Sequence, residues 1–349
     1  MSPCPIELIG CGALAETVYA PVLAQLERSG QVKVVALVDP NPARRAQLAK
    51  TFPTAQAHER VEKLPPNPDA LAVVASPPGV HAVQTCTLLA AARHVLCEKP
   101  LATSVTEAQT MIAAANKSGR LLAAGMMRRF YPSVQALREH LAGGTWGTLR
   151  HLAIAEGGRF SWNAASVKFF DPANGGVLFD LGSHVLDLLC HFFGEPAATT
   201  ARTDALGGTN TNCVLAANWK TGTQARIRLS WDTPLETGWR IQTSRGECRW
   251  DGSADGALLW RSDGAKIWEI IPSPPKVRFA PGQGWSGSFV RQFENVLAAM
   301  AGKEKLLAPA ADVLPSLRWL EEAKNHAKLL AQPWLSPEEM AGVARLAKS

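Results

Sequence analysis

Three side chains in this sequence have the types and settings that proton and alkoxide chemistry requires: Lys99, Asp180 and His184. Lys99 stands in Glu98-Lys99-Pro100, directly after the apolar run Ala91-Ala-Arg-His-Val-Leu-Cys97. An ammonium at the end of a buried strand can hydrogen-bond a hydroxyl and stabilise the alkoxide that develops from it. Pro100 fixes the turn that aims it. Asp180 and His184 belong to Asn174-Gly-Gly-Val-Leu-Phe-Asp180-Leu-Gly-Ser-His184-Val-Leu-Asp187, in which Val177, Leu181, Val185 and Leu188 recur at helical spacing. Residues four apart then share one helical face. A histidine, with a reference pKa near neutrality, can take a proton from an alcohol while hydride leaves the carbon. Asp180 can orient the imidazole, bind a neighbouring hydroxyl, or both. Gly182 between them leaves room for a ligand to approach. A capping aspartate beside a satisfied helical histidine would give the same pattern. No spacing reads as a metal site, and His191 reads as structural or exposed.

Hydride that leaves a carbon needs an acceptor, and the first residues carry the pattern of one. Gly10-Cys-Gly12-Ala13-Leu14-Ala15 follows a predicted strand and opens a predicted helix. Gly10 allows the tight turn, Gly12 lets backbone approach a pyrophosphate, and Ala15 permits close helix–strand packing. The helix N-terminus offers unpaired N–H groups to phosphates. The next strand ends at Asp39, whose carboxylate can accept hydrogen bonds from adenosine ribose hydroxyls and repel a 2′-phosphate. This favours NAD. Arg44 and Arg45 just beyond can host a phosphate, so NADP stays open. Ser76, Pro77 and His81, in Ala75-Ser-Pro-Pro-Gly-Val-His81, leave a third strand toward the same crevice and are candidate cofactor contacts, as are Glu98 and Lys99.

These residues need a scaffold, and the pattern of apolar runs describes one. Ile6–Ile9, Val32–Val38, Ala70–Ala75, His94–Cys97 and Leu121–Gly125 read as strands buried on both faces. Pro42–Thr51, His81–Ala91 and Val105–Ser118 read as helices, the last stopped by Gly119. Such alternation implies a doubly wound parallel sheet. All eleven tryptophans lie at or after Trp146, which sets the boundary near 123–129: a dinucleotide-binding domain over 1–125 and an α+β domain over 126–349. In the latter, Gln224–Trp231 alternates strictly, as a half-buried antiparallel strand does. Leu149–Ala155, Asn212–Trp219, Trp239–Thr243, Glu247–Trp250, Ala257–Trp260 and Lys266–Ile271 are further strands of a large, open, mainly antiparallel sheet. Helices are expected near Ser288–Ala301 and Ala311–Ala331. A last one starts at Ser336 with Glu339 completing a capping box.

The formal charge is +6, from 36 basic and 30 acidic side chains, with no block of like charge. That reads as a solvated surface without a nucleic-acid footprint. The seven cysteines form no Cys-x-x-Cys pair and read as reduced thiols of a cytoplasmic protein. The N-terminus lacks a positive leader, Glu7 interrupts its first apolar stretch, and no apolar run is long enough to span a bilayer.

Four segments in order resemble the glucose–fructose oxidoreductase/inositol dehydrogenase/rhizopine catabolism (Gfo/Idh/MocA) family: Gly10-x-Gly12-x-x-Ala15, Glu98-Lys99-Pro100, Arg128-Arg-Phe-Tyr-Pro132, and Gly175-Gly-x-x-x-Asp180-x-Gly-x-His184-x-x-Asp187. The resemblance implies an N-terminal Rossmann domain and a C-terminal domain whose open sheet joins subunits into a homodimer or homotetramer. It implies NAD(P)-dependent oxidation or reduction of a secondary alcohol on a sugar, cyclitol or sugar nucleotide. Lys99 is then the catalytic lysine and Asp180 with His184 the dyad, while Arg128 and Arg129 lie near the substrate. Asn174 stands where a third glycine is common, and Met126-Met127 replaces more polar residues. Phe160, Trp162, Phe169 and Phe170 either stack on a sugar face or fill the core; Trp162 is the one taken as a substrate contact. Relatives that sense dinucleotides without turnover, and NAD-dependent glycosidases, are the alternatives. The whole reading requires Lys99 and His184 to meet beside the redox-active carbon of the dinucleotide.

Overall fold

The computed structural model describes residues 2–160, 170–172, 175–205, 208–273, 286–331, 336–339 and 341. The chain forms two compact units, one built on Met1–Phe130 and Val277–Leu314, the other on Tyr131–Trp162, Ser166–Lys276 and Pro315–Ser349.

In the first unit, apolar runs become β1 (Cys4–Ile9), β2 (Val32–Val38), β3 (Gln56–His58), β4 (Leu71–Val74), β5 (His94–Glu98) and β6 (Leu122–Gly125). They pair in parallel in the order β3-β2-β1-β4-β5-β6. This is a doubly wound sheet whose strand order reverses between β1 and β4, where ligands of such folds bind. Helices α1 (Ala20–Arg28), α2 (Pro42–Ala49), α3 (His81–Ala90) and α4 (Val105–Ser118) connect the strands. Ser104 caps α4 by accepting the Glu107 N–H, and Gly119 ends it at φ +65°, a left-handed conformation glycine adopts without strain. Under the sheet, Arg93 grips both carboxylate oxygens of the buried Glu7, at 2.5 and 3.1 Å.

Residues 277–314, which a boundary at 125 assigns to the second domain, cluster with the first unit for a simple reason. Helix Ser286–Met300 has apolar residues at one-turn spacing, and Phe289, Val290, Phe293 and Val296 enter the same core as Ile6, Leu8, Val18, Leu23 and Leu37. The segment after it runs along β6, with the Ala124 N–H donating to the Ala308 carbonyl at 2.9 Å.

The second unit carries α5 (Pro132–Ala142), β7 (Leu149–Gly157), α6 (Ser183–Phe193), β8 (Ala198–Thr203), β9 (Asn212–Asn218), β10 (Gln224–Ser230), β11 (Gly238–Thr243), β12 (Gly246–Trp250), β13 (Leu258–Ser262) and β14 (Glu269–Ile271). With β15 (Lys328–Leu329) they make a sheet of order β14-β13-β12-β11-β7-β10-β9-β8-β15. Only β10·β7 and β15·β8 are parallel pairs. One face buries Trp239, Trp250 and Trp260, while Arg226, Arg228 and Arg240 stand exposed on the other. The expected helix over 311–331 is shorter, Leu314–His326, because residues 328–329 pair with β8 instead. Ser336 and Glu339 form the reciprocal capping box. No helix among the described residues is long and apolar enough to cross a membrane.

Candidate active site

The glycine turn after β1 is built to be close. A Cβ on Gly10, which sits at φ +92°, would lie 2.6 Å from the Ser76 backbone nitrogen in the turn after β4. Only glycine tolerates both the conformation and the approach. Gly12 differs: a Cβ there would meet only Arg44 Nη1, at 4.0 Å. The Gly12 backbone is therefore uncrowded beside the first N–H groups of the helix, where the sequence pattern expects a pyrophosphate. Ala13 and Leu14 open that helix, and Ala15 is fully buried in the core. From Ala15 to Tyr19 it runs as a π turn before continuing as α1, a distortion frequent at functional sites.

Asp39 is buried just past β2. Its Oδ2 accepts the Cys11 N–H at 2.9 Å and its Oδ1 the Asn41 N–H at 2.8 Å. The carboxylate thus ties the glycine turn to the end of β2, and each oxygen keeps acceptor capacity for a ribose hydroxyl. Arg45 donates to the Asp39 carbonyl. Burial, helped by Asp39, pushes the Cys11 thiol up to about 12, which leaves it an inert core residue.

The turn that carries Lys99 is fastened from both sides. Tyr19 donates its hydroxyl to Glu98 Oε1 at 2.5 Å, and Glu98 Oε2 accepts the Lys99 backbone N–H at 2.9 Å. Phe289 and Phe293 hold the Tyr19 ring edge-on. Burial raises the pKa of Glu98, against the pull of Tyr19 and of the Lys99 N–H. A Cβ on Gly125 would lie 2.9 Å from Glu98 Cα and 3.0 Å from its carboxyl carbon, so β6 must be bare at that position. On the other side, His81 Nδ1 lies 3.0 Å from the Pro100 carbonyl oxygen and Nε2 lies 2.8 Å from that of Ser76. The expectation that His81 contacts the dinucleotide meets a ring whose two nitrogens already face protein carbonyls. Two acceptors would suit an imidazolium, but burial lowers the His81 pKa. The ring spans the turns after β4 and β5, with one nitrogen toward each. Ser76 bonds Gln84 at 2.6 Å, and Pro77 precedes the short turn into α3.

In the second unit, Asp180 lies in a π turn, Leu178–Gly182, that runs into α6. The α-helical spacing expected between Asp180 and His184 therefore changes phase, because a π turn bonds i to i+5. Asn210 starts this helix by accepting the Leu178 N–H at its side chain and the Val177 N–H at its carbonyl, each at 3.0 Å. His184 is buried and Asp180 half-buried. Gly182, expected to leave space for a ligand, serves packing instead: a Cβ there would press on Leu178 and Leu229 at 3.2 and 3.3 Å. Trp231, at the end of β10, donates its indole N–H to Asp180 Oδ2 at 3.2 Å. No motif marked that donor, because it lies 51 residues away and only the pairing of β10 with β7 and β9 brings it in.

Arg129 is fully buried. It donates to the carbonyls of Leu307 at 3.1 Å and Asp312 at 3.4 Å, contacts that anchor the Met127–Phe130 turn to the first unit. Arg128 shares that turn. Trp162 and Phe169 lie outside the described residues, as does Asn174.

Residues 5–126 match an oxidoreductase family with an NAD-binding Rossmann fold, and residues 134–249 match the GFO/IDH/MocA C-terminal domain. The chain is 34% identical over 224 residues to a putative UDP-kanosamine synthase oxidoreductase subunit of Amycolatopsis mediterranei (strain S699), covering 61% of this chain and 57% of that one. It is 29% identical over 229 residues to the D-glucoside 3-dehydrogenase of Escherichia coli (strain K12), covering 64% of each. The chain thus spans less than two thirds of the length of either relative. Its fold is similar to that of an oxidoreductase from Agrobacterium radiobacter in complex with NAD+, L-tartaric acid and magnesium, with TM-score 0.80, 19% identity, and coverage of 93% of this chain and 96% of that one. Matched in both its nucleotide-binding fold and its C-terminal domain, the chain belongs to the Gfo/Idh/MocA oxidoreductase family.

Proposed function

We propose that this chain is an NAD(P)-dependent dehydrogenase or reductase for a secondary alcohol or ketone on a sugar, cyclitol or sugar nucleotide. The observation that carries the reading is the Lys99 turn. It leaves β5 at the carboxyl end of the NAD-binding sheet and is held by Tyr19 through Glu98 and by His81 through Pro100. Such investment fits a lysine that must be aimed. Gly10, Gly12, Ala13, Leu14 and Ala15 receive the pyrophosphate, Asp39 the adenosine ribose, and Ser76, Pro77 and Glu98 flank the nicotinamide end. Asp39 favours NAD; Arg44, beside Gly12, is the residue that would admit NADP. The nicotinamide, when bound, supplies the hydride acceptor. In the oxidative direction His184 takes the hydroxyl proton, Asp180 orients the reacting group, and Lys99 stabilises the alkoxide. Arg128 belongs to the substrate side. The name of the glucoside 3-dehydrogenase relative supports a ring hydroxyl as the target. The enzyme works in the cytoplasm as a homodimer or homotetramer through the nine-stranded sheet, which light scattering can check.

The test is a sugar and cyclitol panel followed by nicotinamide absorbance. Lys99→Ala and His184→Ala should each lower kcat by about 10²–10³-fold on the best substrate. Parent-like rates in both variants would overturn the roles. Tight NAD binding without turnover on any polyol would favour the dinucleotide-sensing alternative, and release of free sugar from an aryl glycoside the glycosidase one.

A further inference from the structure

The donor that orients Asp180 is itself one member of a group of rings. Trp231 lies 4.8 Å from Phe160 and 6.0 Å from Phe170 between ring centroids, and Phe160 and Phe170 are 5.3 Å apart. Backbone bonds fix the group: the Phe160 N–H donates to the Trp231 carbonyl at 2.7 Å, and the Trp231 N–H to Thr211 at 2.8 Å. Beside Trp231, Asp232 is clamped by hydroxyl donors from Thr211 at 3.0 Å and Thr233 at 2.8 Å and by the Asn212 amide at 2.9 Å. A lone exposed phenylalanine carries little meaning. Phe170, however, is 50% exposed in a cluster of which one ring, that of Trp231, is bonded to a half-buried carboxylate.

We propose that Asp180, Trp231, Phe160 and Phe170 form one substrate subsite, in which the carboxylate receives a ring hydroxyl and Phe170 takes the C–H face of the same ring. This rests on the oxidoreductase reading above and narrows its substrate class. The indole N–H holds the carboxylate in one orientation before substrate arrives, which lowers the ordering penalty of binding. The aromatic face favours a surface of C–H groups and has no partner for a hydroxyl; an axial hydroxyl on the stacked face would be desolvated without compensation. The favoured ligand is a saturated six-membered ring with equatorial hydroxyls, for which gluco-configured pyranosides are the simplest probes.

The experiment has two arms. In the first, binding of methyl β-glucopyranoside, its C4 epimer and its C3 epimer is read by saturation-transfer NMR, which needs no turnover. An axial hydroxyl at C4 blocks one face and at C3 the other, so at least one epimer should bind about 10-fold more weakly. Phe170→Ala and Phe170→Leu should erase that difference, with thermal melts confirming folding. Equal binding of all three, or a preference unchanged in both variants, overturns the subsite. In the second arm, Trp231→Phe is compared in the parent and in Asp180→Asn. Loss of the N–H should weaken glucoside binding several-fold in the parent and leave Asp180→Asn unchanged; equal effects in both backgrounds overturn the link through Asp180. Face-selective binding without oxidation of any sugar would sink the proposed reaction and leave the subsite standing. Oxidation without face preference would do the reverse.

Discussion

The first unit fastens its candidate residues with ionisable groups taken out of water: Tyr19 on Glu98, His81 between two turns, and Arg93 on Glu7 beneath the sheet. In the second, one donor to Asp180 is the uncharged indole of Trp231, itself packed against Phe160 and Phe170. Buried ionisable partners fix geometry sharply, because losing one leaves the other desolvated and unmatched. They also couple that geometry to pH. An indole holds more loosely and does not titrate. The pH dependence that burial gives Glu98 and His81 therefore falls on the half of the molecule expected to hold the dinucleotide.

That contrast can be broken at several levels. The largest effect is expected at the buried pair: Arg93→Met strands the Glu7 carboxylate and should destabilise the protein by about 3–5 kcal/mol in denaturant unfolding. Its counterpart in the second unit, Arg318 on Glu195 at 2.7 Å, is exposed. Tyr19→Phe keeps the ring against Phe289 and Phe293 but removes a donor from a buried carboxyl. It should cost about 1–3 kcal/mol and weaken equilibrium binding of NAD, read by calorimetry. The titration of His81 comes next. Its pKa is held below the ordinary 6.5 by burial, so below that pH the unfolded chain binds more protons than the folded one. Stability should therefore fall as pH drops from about 6.5 toward the folded pKa, and His81→Gln should remove that increment from the melting profile. The smallest effect is expected from Arg318→Met, at about 0–1 kcal/mol. A loss at Arg318 equal to that at Arg93 would end the contrast between the units.

How far the sequence could be read follows the same division. In the first unit, site residues lie in short turns directly after strands, so motif and scaffold coincide. Val32–Val38 and Val105–Ser118 form over their expected spans, because uninterrupted apolar runs and a cap–glycine pair are local signals. β3 and β8 were invisible, since Gln-Ala-His and Ala-Thr-Thr-Ala-Arg-Thr lack apolar alternation and owe their strand state to their neighbours. The π turns at Ala15–Tyr19 and Leu178–Gly182 left no trace in composition. His81 shows the limit most clearly. Position at a strand end suggested a ligand contact, whereas its partners are two carbonyls that only the folded turns bring together. Trp231 was legible as a buried strand residue but not as the donor to Asp180, for the same reason.

The helix Ser286–Met300 has a practical consequence. A fragment ending after Phe130 would look like a self-contained nucleotide-binding half, yet it would lack Phe289, Val290, Phe293 and Val296 and bare the surface they cover. Burial of such side chains contributes roughly 1.5–3 kcal/mol apiece, together comparable to the whole stability of an ordinary domain. Excising the dinucleotide half for separate use would therefore require splicing the late helix back behind the early chain, and proteolytic nicking between residue 130 and that helix should leave two fragments that co-purify.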